Sequence, residues 1–197
     1  MKHLLIVLLG ALPLNIVCEG KFDGISLGAS IGADIASLKE KSITDGIKQP
    51  GANGKIYVGL NKSFLDVIFI GAEAFGRYSF FVKAEASKKE NAEGAPQFGG
   101  YLRAGIRPSE NFLIYGLYGI QSSSTKIKGV FDKLFERQGG SWSTIIGAGI
   151  EYAFGLGTAV RLEGIYEPEA SFKITDVPDM TYDANFFSLN LGVTLYL

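Results

Sequence analysis

Between Ser143 and Tyr166 the sequence runs STIIGAGIEYAFGLGTAVRLEGIY, two alternating segments joined by a glycine-rich turn around residues 153–157. Period-two alternation broken by glycine is the short-range signature of a β-hairpin. In the first arm Ile146, Ala148, Ile150 and Tyr152 share one face, opposed by Ser143, Ile145, Gly147, Gly149 and Glu151. In the second, Val160, Leu162, Gly164 and Tyr166 oppose Ala159, Arg161, Glu163 and Ile165. Both arms therefore gather charge and glycine on one side. A water-soluble sandwich buries its apolar face and wets the other. A closed barrel in lipid inverts this, with the apolar face outward and the polar face around its axis.

The rest of the chain repeats the pattern. Residues 22–33 set Ile25, Leu27, Ala29, Ile31 and Ala33 against Gly24, Ser26, Gly28, Ser30 and Gly32. Residues 54–61 set Ile56, Val58 and Leu60 against Tyr57, Gly59 and Asn61. The third strand, residues 67 to about 86, keeps Ile68, Ile70, Ala72, Ala74, Tyr78 and Phe80 in phase, with Glu73 and Arg77 opposite. It is long enough to project as an arm beyond a membrane. The fourth, 97–107, sets Phe98, Leu102, Ala104 and Ile106 against Gln97, Tyr101, Arg103 and Arg107. The fifth, 112–122, is apolar on both sides: either Leu113, Tyr115 and Leu117 or Ile114, Tyr118 and Ile120 face outward. After the hairpin, residues 184–197 alternate again, Asn185, Phe187, Leu189, Leu191, Val193, Leu195 and Leu197 against Ser188, Asn190, Gly192, Thr194 and Tyr196.

Eight strands result, an even number that returns both termini to one side. Their connections alternate. Long polar loops are expected at 34–53, 87–96, 123–140 and 167–183, the third with a short helix over 130–137; short turns join the remaining pairs. Long outer loops and short periplasmic turns are the asymmetry of an outer-membrane barrel. Since a bilayer tolerates no open sheet edge, the eighth strand must pair with the first. The expected fold is thus all-β, an eight-stranded antiparallel up-and-down transmembrane barrel over residues 21–197.

Residues 1–20 are read as a signal peptide. Lys2 and His3 form a basic start, an apolar run covers 4–12, and cleavage falls near residues 18–20. Val17 is bulkier than the residue that precedes a lipidated cysteine, so Cys18 is not read as a lipid anchor. The single histidine, His3, and the single cysteine leave with this leader. A mature chain without either lacks the usual general base, the thiol nucleophile and most zinc chemistry. A cut after Cys18 removes Lys2 and leaves 18 basic against 20 acidic residues. No attraction to nucleic acid follows.

The inward charged set is Glu73, Arg77, Arg103, Arg107, Glu151, Arg161 and Glu163. Glu73 and Glu151 could be offered as an acid and base pair, yet no nucleophile accompanies them. In an interior just wide enough for its own side chains, acids and arginines satisfy one another, because an unpaired buried charge is costly. The set is therefore read as a structural network that plugs the lumen. No catalytic, metal or cofactor residue is expected. Tyr57 and Tyr101 fill the interior, while Trp142, Tyr152 and several of Tyr78, Tyr115, Tyr166, Tyr182 and Phe187 belong to interfacial belts.

The segments ISLGASIG, IFIGAEAFGRY, GGYLRAGIRP, GAGIEYAFG, VRLEGIY and the ending LNLGVTLYL resemble, in order and spacing, an eight-stranded outer-membrane barrel family. That family contains the outer-membrane protein A transmembrane domain and the opacity-type surface antigens. The resemblance implies integral outer-membrane localisation and a structural or surface-antigen and adhesion role carried by extracellular loops. Its implied partners are lipopolysaccharide, the barrel-insertion machinery and a host surface ligand. Leu197 stands where family members usually end in Phe. A small porin-like pore, a lipid-modifying enzyme and a soluble barrel binding an apolar ligand are the alternatives; the family's lipid-A enzymes depend on a His that the mature chain lacks.

Overall fold

A computed structural model describes residues 20–40, 47–81, 95–123, 126–128, 134–136, 142–155, 157–174 and 177–197. The strands are β1 (Gly24–Glu40), β2 (Ile47–Phe64), β3 (Ile68–Phe81), β4 (Ala95–Ser109), β5 (Phe112–Ser123), β6 (Lys126–Lys128), β7 (Leu134–Glu136), β8 (Trp142–Phe154), β9 (Thr158–Ile174) and β10 (Val177–Tyr196). All but the small β6–β7 pair close into one antiparallel barrel in the order β1-β10-β9-β8-β5-β4-β3-β2. β10 pairs with β1, so the wall has no free edge through the bilayer. The leader expected at 1–20 lies, except for Gly20, outside the described residues.

Stepping sideways through register partners, Ile25, Leu60, Ala72, Leu102, Tyr118, Ile146, Tyr166 and Phe187 lead back to Ile35, ten residues above the start. Ten residues of stagger over eight strands tilts the strands by roughly 40° and leaves an interior that side chains alone can fill.

The wall is inside out relative to a soluble protein. Ile31 is 73% exposed and Leu102 64%, whereas the adjacent Arg103 is fully buried. Ile146, Ile150 and Tyr152 face out, and Ile145, Glu151, Arg161, Glu163 and Ile165 face in, as the hairpin's alternation requires. The fifth strand's two faces are now distinguished. Leu113, Tyr115 and Leu117 point inward and Ile114, Tyr118 and Ile120 outward. Tyr115, a candidate for the aromatic belts, is therefore interior. Trp142, Tyr78, Phe80, Phe98 and Phe187 ring the loop end of the wall, and Phe64, Tyr152 and Phe154 the turn end.

Three expectations about connections are corrected. The first polar stretch, 34–53, is not all loop: β1 runs to Glu40 and β2 starts at Ile47, paired from Asp34↔Gly51 to Leu38↔Ile47. Likewise β9 and β10 occupy most of 167–183. Ladder hydrogen bonds do not require apolar side chains, so strands continue into water after the hydrophobic band stops. Within the third stretch Leu134–Glu136 is the strand β7, paired with β6, rather than part of a helix. The arm expected of the third strand beyond Phe81 lies outside the described residues.

The β2–β3 turn is tight, with Val67 N–H donating to Phe64 O at 3.2 Å and both Leu65 and Asp66 left-handed. Gly155 and Gly157 supply positive φ at the β8–β9 turn. At this same turn end, residues 20–23 fold under the barrel. Phe22 is fully buried, edge-on to Tyr196 at 5.6 Å, in a cluster with Phe69, Leu113, Ala153 and Ala159. Asp23 holds it there by accepting from the Ser63 N–H at 2.8 Å, and the Lys21 ammonium donates to Asn111.

Candidate functional site: the charged interior

Midway along the axis, three acids meet three bases. Arg161 of β9 donates to Glu73 of β3 from Nη1 at 2.8 and 3.0 Å, and its Nε lies 2.8 Å from Glu151 of β8. Arg103 of β4 bonds Glu151 at 2.5 Å and Asn61 at 2.6 Å, with Glu73 3.8 Å from its Nε. Lys55 of β2 pairs with Glu163 of β9 and donates to the Tyr101 hydroxyl at 3.2 Å.

Tyrosines complete the layer. Tyr115 donates to Glu163 at 2.9 Å, Tyr101 to Glu73, and Tyr196 to Glu151. The Tyr57 hydroxyl reaches Thr194 at 2.9 Å while its ring lies under the Arg161 guanidinium, 4.2 Å from the centroid. Arg103 is sandwiched by Phe69 and Tyr115 at 5.1 and 4.9 Å. Each of these six charges thus has an opposite charge, and each of the three acids also accepts from a phenol. Such pairing offsets the several kcal/mol that desolvating an ion costs.

Glycines make room for these rings. A Cβ on Gly28 would overlap the Tyr57 ring, and one on Gly149 would overlap the Tyr115 hydroxyl. At these two positions glycine records where a tyrosine crosses the axis, while Gly32 and Gly71 make room for Asn190 and Asn61.

Of the seven residues singled out from the sequence, the fold brings five together: Glu73, Arg103, Glu151, Arg161 and Glu163. Arg77 belongs to a second layer nearer the loops, paired with Asp34 and bonded to Ser188 at 2.6 Å, with Asn53 donating to Asp34 at 2.6 Å. Arg107 sits apart at the turn end, its guanidinium 5.7 Å from the Phe22 ring. Sequence reading passed over Lys55 and Asp34. Both carried a signal, since Lys55 is in phase with Tyr57 and Asn61, and Asp34 with Ser26 and Ser30. Among the described residues no group of three or more His, Cys, Asp or Glu is arranged to hold a metal.

A closed eight-stranded wall, greasy outside and charged along its axis, defines an integral β-barrel membrane protein. The family model of the outer membrane protein beta-barrel domain matches residues 4–194, and the chain belongs to this family. Among solved structures it is similar to neisserial surface protein A, with a TM-score of 0.55 and 15% identity over 89% of this chain and 100% of that one. It is similar also to the outer membrane protein AlkL in lipid bilayers, with a TM-score of 0.51 and 12% identity over 88% of this chain and 90% of that one. Ail, the attachment invasion locus protein of Yersinia pestis, shares 18% identity over 88% of this chain and 99% of that one, with a TM-score of 0.48. No curated protein sequence matches. Identities this low speak for the fold, which together with the family match places the chain in the outer membrane as an integral barrel.

Proposed function

We propose that this protein is a surface barrel with a closed lumen, whose role is structural or that of a surface antigen and adhesin acting through its extracellular loops. The observation that carries the reading is the central layer: Arg161 reaches Glu73 across the axis while Lys55–Glu163 and Arg103–Glu151 occupy the same cross-section, all buried. With the axis filled, what the protein presents to its surroundings is the loop end. Residues 1–20 act as a cleaved signal peptide, the wall meets lipopolysaccharide and lipid, the barrel-insertion machinery assembles the chain, and a host surface ligand meets the loops. A non-enzymatic role fits a mature chain without His or Cys whose central carboxylates are each engaged by cations and phenols.

Proteolysis of intact cells, with the product run unboiled and boiled, tests this. Clipping within the polar stretches expected as loops, 87–96 or 123–140, together with a protected core that shifts on boiling is expected. A chain resistant in intact cells but cleaved once the periplasm is opened would overturn the surface reading. Solute uptake into liposomes by the folded monomer would put the small-pore alternative in its place.

A further inference from the structure

Tyr118 is out of place. Outward aromatic residues of a membrane barrel belong in the interfacial belts, where a phenol reaches water. Tyr118 is the seventh of the twelve residues of β5, points outward and is 63% exposed. At mid-wall its hydroxyl has no water, and none of the described residues bonds it. An unmet hydroxyl in hydrocarbon costs kcal/mol, so the group calls for a partner that lipid tails cannot supply.

The opposite wall carries a matching depression. In the barrel order β5 stands four strands from β1 in either direction, diametrically across. Across β1, and spreading onto β10, β2 and β3, lies an open apolar groove of about 720 Å³, floored by Ala29 on β1, edged by Ile56, Val58 and Val193, and reaching Ala74 and Gly76 on β3 at its far side. A Cβ on Gly76 would meet only Ile56, at 3.9 Å, so the groove is open there. Depths also agree. Ten residues of stagger over eight strands is about 1.25 residues per strand. The level of Tyr118 therefore falls near Ile56, between three and four residues above Leu60 on β2, and near Ala74, between two and three above Ala72 on β3. A knob and a groove of one chain thus sit back to back at one depth in the bilayer.

We propose that copies of this protein associate side by side in the membrane, the Tyr118 ring of one seated in the groove over Ala29 of the next, between Ile56 and Val193. Lipid is as apolar as the groove, so apolarity alone gives no drive; close packing and a hydrogen bond supply it. Small residues lining the groove expose strand backbone, whose carbonyls keep a second lone pair for the phenol. Because knob and groove lie on opposite faces, the contact is head to tail and does not close, and rows rather than dimers form.

Disulfide trapping in native outer membranes tests this, in a Cys18→Ser background with Ile120→Cys beside the knob and Ile31→Cys beside the groove. On oxidation the double variant should give a ladder of dimers, trimers and higher forms, and either single variant monomer alone. Adding Tyr118→Ala or Ala29→Leu should erase the ladder while leaving the shift on boiling that reports a folded barrel. Monomer alone from the double variant, as when an acyl chain fills the groove, would overturn the proposal. So would a ladder that survives Tyr118→Ala, or dimers formed equally by Ile120→Cys alone.

Discussion

Arg161 and Glu73 stand on strands four steps apart by either route round the barrel, and their side chains meet at 2.8 Å across its diameter. The bond ties opposite walls together through the buried interior. Removing one partner leaves the other's charge buried and uncompensated, so Arg161→Met is expected to cost about 3–5 kcal/mol. Urea unfolding of the barrel in detergent measures it. Glu73→Gln on top of Arg161→Met should restore part of that loss, a coupling read from the double-mutant cycle. Strict additivity of the two losses would show that the walls are not bridged.

Glycine content has a local cause that substitution can separate from general flexibility. Gly28→Ala drives a methyl into the Tyr57 ring and should destabilise the barrel by about 1–3 kcal/mol, the range for overpacking. Gly164→Ala, whose Cβ would meet Phe187 only at 3.8 Å, should be neutral or gain up to about 1 kcal/mol, since glycine weakens a strand interior. Equal effects at the two positions, in the same unfolding assay, would contradict the socket description.

The residues before β1 belong to the fold. Phe22 is fully buried against Tyr196, so Phe22→Ala is expected to cost about 3–5 kcal/mol and to make the turn end accessible to hydrogen exchange. An unchanged unfolding midpoint would mean that the segment merely lies against the barrel.

Leu65 carries φ of 52° at an exposed turn position where a side chain is strained. Leu65→Gly should therefore stabilise by about 1 kcal/mol, the cost of a left-handed conformation for a residue with a Cβ. A lower midpoint would show that the Leu65 side chain contributes more than its backbone loses.

Legibility in the sequence followed the contrast between faces. Where inward residues are charged or small, as with Glu151 and Gly149 opposite Ile150, parity alone assigns inside and outside. In β5 that contrast vanishes, because the inward residues Leu113, Tyr115 and Leu117 are themselves apolar and join the buried cluster that also holds Phe69 and Phe22. Lys55 was overlooked because a single lysine beside Gly54 at the start of an assigned strand looks like a flank. Asp34 was given to a loop because polarity marks where lipid ends, not where a strand ends. Side-chain pairing across the axis, Arg161 with Glu73 above all, depends on the stagger of the closed barrel, which no single strand encodes.

Single-channel recording of the purified monomer in a planar bilayer tests the filled axis most directly. The wild-type barrel is expected to pass no stable current, and a variant carrying both Arg103→Ala and Arg161→Ala to begin conducting if it remains folded. Large, long-lived openings from wild-type monomers would contradict the packing of Lys55, Arg103 and Arg161 against Glu73, Glu151 and Glu163.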